Sequence, residues 1–104
     1  MPAYVIAQMT VHDIDMYYDY ASKVFATITP FGGKLVAAND AEIREGALPY
    51  VRTIVGEFPD TEAARSWYDS DAYQAIIGLR QNSTDGALFF VEGLSMPPRK
   101  KQGE

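Results

Sequence analysis

The sequence predicts an α+β fold: one sheet of four strands with helices packed on one face. Three observations predict it. Four short apolar runs carry period-2 alternation, two regions between them carry the 3-4 spacing of amphipathic helices, and together they run strand, helix, strand, strand, helices, strand.

Each element has its own signal. Residues 3–10, AYVIAQMT, alternate with Tyr4, Ile6 and Gln8 on one side and Val5, Ala7 and Met9 on the other. Ile14, Tyr17, Ala21, Val24 and Ile28 then repeat at helical spacing until Pro30 and Gly32 end the pattern, which makes this the longest helix. Gly33 opens a second strand, GKLVAAND, and 39–46 reads as a turn followed by an irregular loop or short edge strand. The third strand spans 50–57 and stops at Pro59, where Asp60 can cap a helix beginning at Thr61. Ala63, Ala64, Trp67 and Tyr68 share one face of that helix. Ser70 restarts the pattern as a second cap, with Ala72, Ala75, Ile76 and Leu79 as the new stripe, so two short helices with a kink are expected. Residues 82–86 read as a loop and 87–94 as the fourth strand. This order is the split βαβ pattern of a ferredoxin-like βαββαβ subunit.

Helices on one side leave the other sheet face bare, with a flat footprint of roughly 300 Å² for four strands of ordinary length, comparable to the largest apolar patch a monomer carries. The first and last strands are apolar on both sides and no element is left to cover them, so a homodimer packed sheet against sheet is expected.

Composition narrows the rest. A chain of 104 residues with 47% apolar and 22% charged residues is expected to form one compact domain, here 1–96, followed by a disordered basic tail, 97–104. The absence of cysteine excludes disulfides, thiolate metal sites and a cysteine nucleophile. No export signal or membrane span is legible, so a cytoplasmic location is expected. The net charge is −5, and three of the nine basic residues cluster at Arg99, Lys100 and Lys101, leaving an acidic body unsuited to nucleic acid. No glycine pattern cradles a phosphate, and no metal or other cofactor is expected.

The run AYVIAQMTVHDIDMYYDY, the corner Gly32 to Lys34, the stretch EGALPYVRTIVGEFP, the segment WYDSDAYQAIIGLR and the triplet Val91 to Gly93 together resemble the DUF1330 family over nearly the whole chain. The chain departs from that pattern at Leu48, where an aromatic residue often stands. The resemblance implies a ferredoxin-like subunit that forms a dimeric α+β barrel, an assembly shared with small cofactor-free monooxygenases and haem-degrading enzymes. It implies no settled activity.

Candidate site residues gather at the corner. Trp67 and Tyr73, with Tyr17 from a first helix that also carries Tyr18 and Tyr20, would line a helix-sheet cleft suited to a planar apolar ligand, although the same rings could simply be core. Glu57 lies between Arg52 and Arg80 in sequence, and a carboxylate held by arginines would be a fixed charge or clamp rather than a base; plain salt bridges are the alternative. His12, the single histidine, follows the first strand and reads either as a general base or as a solvated turn residue. Pro2 could expose a catalytic amine after loss of Met1, as in small tautomerases, but nothing else in the sequence calls for it. The resulting expectation is a homodimer that binds a small apolar or aromatic metabolite. The alternatives are a cofactor-independent monooxygenase-like enzyme and an interaction module without catalysis.

Overall fold

The computed structural model describes residues 1–94, and the basic tail lies outside them. Four strands, β1 (Ala3–Val11), β2 (Lys34–Asp40), β3 (Arg52–Phe58) and β4 (Thr84–Glu92), form one sheet in the order β2-β3-β1-β4, every neighbouring pair antiparallel. The long helix α1 (Ile14–Ile28) connects β1 to β2, and α2 (Thr61–Asp69), α3 (Asp71–Gln74) and α4 (Ile77–Gln81) connect β3 to β4. This is the ferredoxin-like α+β subunit. Among the described residues, no helix is long and apolar enough to cross a membrane.

The alternation in β1 becomes a division between two faces. Ala3, Val5, Ala7 and Met9 are buried under the helices. Their partners across the ladder, Phe58, Gly56, Ile54 and Arg52 on β3 and Phe90, Leu88 and Gly86 on β4, share that face. Tyr4 and Ile6 point the other way with Glu57, Val55, Val91 and Phe89 beside them, on a face that no helix covers.

Helix boundaries follow the sequence signals closely. Asp13 accepts the Met16 amide at 3.1 Å to start α1, and Asp60 accepts the Ala63 amide at 2.8 Å to start α2. After α1 a single 3-10 turn, Thr29–Phe31, carries the chain to Gly32, whose φ of 78° lies in the left-handed region. Gly33 then passes so close to Ile28 and Phe58 that no Cβ fits. This tight corner swings β2 back alongside β3.

The structure differs from expectation after Ser70. That residue does cap, its hydroxyl accepting the Tyr73 amide at 3.2 Å, but the helix it starts is one turn long and α4 begins afresh at Ile77. The break resets the helical phase, so Ala72 and Ala75 are exposed and the buried positions are Tyr73 and Arg80. The expected loop at 82–86 is also shorter. Ser83 is fully buried, its carbonyl accepts the His12 amide at 2.9 Å, and β4 already pairs with β1 at Thr84. The third strand starts at Arg52 rather than at residue 50, and 41–51 forms the irregular connection.

Candidate functional site

Between α1 and the helix-covered face of the sheet a space remains, bordered by residues of all four strands. Small residues are the reason: Ala7, Gly56 and Ala38, each from a different strand, floor a space that α1 roofs with Tyr17, Tyr20, Ala21 and Val24. A cavity of about 180 Å³ results, with Ile54, Leu88, Phe58 and Trp67 completing its apolar wall. Two arginines, Arg52 and Arg80, are the charged residues of the lining. A wider recess of about 360 Å³ adjoins it, sharing Met9, Tyr17, Tyr18 and Arg52 and adding Asp40 and Val51 at its rim.

Behind the wall the aromatic residues form a packed, hydrogen-bonded cluster. Trp67 is 3% exposed, its ring 5.4 Å from Phe58 and 4.2 Å from Tyr73, and its indole N–H donates to the Thr27 hydroxyl at 2.9 Å. It is therefore both core and cavity wall. Tyr73 has no exposed surface, and its hydroxyl accepts from Arg80 Nε at 3.2 Å and lies 2.9 Å from the hydroxyl of Tyr20. Tyr73 accepts from the guanidinium, and either of the two hydroxyls can donate within the Tyr20–Tyr73 pair.

The electrostatics follow from burial. Tyr20 has its phenol pushed well above the ordinary tyrosine value near 10, first by desolvation and then by Tyr73. For Arg80, desolvation pulls toward the neutral form, but the surrounding phenol oxygens, Tyr73 first and then Tyr20 and Tyr68, more than offset it, so the net direction is upward and Arg80 is a cation. A pH dependence follows. The native state holds the Tyr20 proton more tightly than the unfolded chain does, so this contribution to stability is complete below pH 10 and is lost as pH rises beyond it. Alkaline titration of stability should fall above about pH 10 in the wild type and less steeply in Tyr20→Phe; parallel curves would contradict the burial of that phenol.

Of the residues singled out from the sequence, Tyr17, Arg52, Trp67 and Arg80 line the cavity, and Tyr73 supports it from behind. Glu57 does not join them. It stands five positions after Arg52, an odd offset along one strand, so the two side chains point to opposite faces and Glu57 lies on the bare side opposite Tyr4 and Lys34. His12 is exposed beyond the end of β1, with Nε2 3.9 Å from Asp85 Oδ1, and borders neither recess. Pro2 is also remote from both, its carbonyl accepting the Gly93 amide at 2.6 Å. Two contributors went unnamed among the candidates, Thr27 and Gly56, while Tyr20, noted on the first helix beside Tyr17, joins the wall. Tyr20 and Thr27 stand three and ten residues after Tyr17, on its side of the helix. Gly56 shares the parity of Ile54 and Phe58, where a missing side chain signals space.

No curated protein matches the chain. Several solved structures share its fold at low identity. A protein of unknown function from Rhodopseudomonas palustris aligns with a TM-score of 0.74 at 16% identity, covering 91% of this chain and 84% of that one. A dimeric ferredoxin-like protein of unknown function from Jannaschia aligns at 0.71 and 13%, covering 91% and 100%. SnoaB, a cofactor-independent oxygenase from Streptomyces nogalater, aligns at 0.65 and 12%, covering 94% and 98%. At the level of sequence the assignment is direct: residues 2–94 match the model of a domain of unknown function, DUF1330, and the protein belongs to that family.

Proposed function

We propose that the protein is a cytoplasmic homodimer, packed sheet against sheet, whose subunits each bind a small apolar or aromatic molecule in the cleft beneath α1. The observation that carries the binding reading is the cavity itself. An apolar space of about 180 Å³ under a helix that continues into a recess of about 360 Å³, with a few convergent polar groups, has the make-up of a small-molecule site. A core of this size packed only for stability would leave no such void, because interiors are close-packed.

The dimer reading rests on the opposite face. Tyr4, Ile6, Val55, Ala87, Phe89 and Val91 share it, and Phe89 and Val91 stay about two-fifths exposed in the single subunit. A second copy offers the same apolar surface in return, and the Jannaschia relative of like fold is dimeric.

Filling the cleft tests the binding reading without touching the core. Ala38 lines the cavity from the edge strand β2 and is exposed, so Ala38→Phe can place a ring in the space with the fold kept. Phenylacetamide, a neutral single-ring probe, should alter the fluorescence of the single tryptophan, Trp67, saturably in the wild type and not in Ala38→Phe. Equal responses in both would place the probe elsewhere and contradict the reading.

A second reading, cofactor-independent oxygenase chemistry, is favoured by the fold shared with SnoaB together with the Tyr73 hydroxyl held between a buried cation and a second phenol. Its signature is dioxygen uptake by the metal-free protein on addition of an aromatic substrate that can lose a proton to give an enolate. Uptake unchanged by Tyr73→Phe would remove that reading.

A further inference from the structure

Arg80 is the feature that the binding of an apolar molecule leaves unexplained. The residue is 8% exposed and lines the cavity, yet only its Nε has a partner, the Tyr73 hydroxyl. Among the described residues the ion pairs are His12–Asp85, Lys23–Asp19 and Arg44–Glu42, so no carboxylate answers this guanidinium. Its two terminal amino groups make no hydrogen bond to any described residue either. A buried cation normally stays in place because an anion compensates it, and removing such a partner leaves an uncompensated charge that strongly destabilises the fold. Here no such anion stands among the described residues, and the residue borders the cavity.

We infer that the ligand of this cleft is a monoanion, a single aromatic or compact apolar body bearing one carboxylate or comparably acidic oxygen, and that Arg80 is the group that receives the charge. The inference rests on the cleft being a ligand site, as proposed above, and adds the chemistry of what fills it. Planar guanidinium donors match a carboxylate edge to edge, and the Tyr73 hydroxyl fixes the fork by holding Nε. Size sets the body. An apolar cavity of about 150 Å³ accepts benzene, so one of about 180 Å³ accommodates one ring with a short acidic arm, and anything larger extends into the adjoining recess past Arg52. Phenylacetate has these dimensions. Arg52 is half-buried where the two recesses meet and serves as the internal control for a merely electrostatic attraction.

The test compares phenylacetate with its neutral isostere phenylacetamide, using saturation-transfer NMR and Trp67 fluorescence on the full chain at neutral pH. Wild-type protein should prefer the acid by at least about tenfold, the range expected for hydrogen bonds to a charged group. Arg80→Gln should bring the acid-to-amide ratio close to one, Arg80→Lys should retain part of the preference, and Arg52→Gln should retain most of it. Should Arg80→Gln fail to fold, the wild-type ratio and Arg80→Lys still decide. Equal affinity for acid and amide in the wild type, with both lost in Ala38→Phe, would overturn the anion inference and leave the cleft reading standing. A preference that survives Arg80→Gln and vanishes in Arg52→Gln would overturn the assignment to Arg80. Binding of neither probe would overturn the inference together with the reading beneath it.

Discussion

Trp67→Ala is expected to remove about 3–5 kcal/mol of stability, the range for deleting a large aromatic side chain from a core. The structure gives several reasons for a value at that level. The indole is 3% exposed, touches Phe58 and Tyr73 at ring distances of 5.4 and 4.2 Å, and holds the Thr27 hydroxyl at 2.9 Å. Removing it opens the cavity wall into the core and leaves the buried Thr27 hydroxyl without the indole N–H it accepts. Domains of this kind have about 5–15 kcal/mol in total, so the variant should be marginal at room temperature. Trp67→Phe keeps a ring and gives up the bond to Thr27, and should lose much less. Urea unfolding followed by circular dichroism checks both, and a loss below about 1 kcal/mol in Trp67→Ala, the level of a surface substitution, would show that the cluster is not core.

A charge at the centre of the bare face should have the second large effect, on assembly rather than on folding. Ile6 sits between Val55 and Phe89 in the ladder, with its side chain directed away from the helices. In Ile6→Glu the carboxylate is solvated in a single subunit but would be buried, unpaired, in a sheet-to-sheet dimer. The desolvation of such a charge is worth several kcal/mol per ion, and each 1.4 kcal/mol is tenfold in association. A twofold interface carries the charge twice, once from each copy, and adds their repulsion. Sedimentation at micromolar concentration should therefore show a dimer for the wild type and a folded monomer for Ile6→Glu. A dimer that survives the substitution would mean that another surface joins the subunits.

What the sequence made legible was local and periodic. The caps Asp60 and Ser70, the stop at Pro59 and the corner at Gly32 are short-range chemistry, and each stands where its residue type placed it. The bare sheet face was legible by counting elements, but its parity was not, because β1 is apolar on both sides and only the ladder with β3 and β4 separates Tyr4 and Ile6 from Val5 and Ala7. The region after Ser70 was misread for a physical reason: a one-turn helix has no face of its own, and the break before Ile77 shifts the stripe from Ala72 and Ala75 to Tyr73 and Arg80. Glu57 was a case where strand alternation, applied strictly, already separates it from Arg52. The meeting of Tyr20, Tyr73 and Arg80 is long-range, fifty-three residues apart for the two phenols, and no local pattern encodes it.

The most direct measurement for the central claim is an amide-resolved NMR titration of the wild-type protein with phenylacetamide. Small saturable shifts should cluster on the cavity's own lining, at Ala7, Ala21, Val24, Ile54 and Gly56, and leave Ile6, Val55 and Phe89 on the opposite sheet face unmoved. Shifts that appear on that opposite face, or none at any attainable concentration, would contradict a ligand site beneath α1.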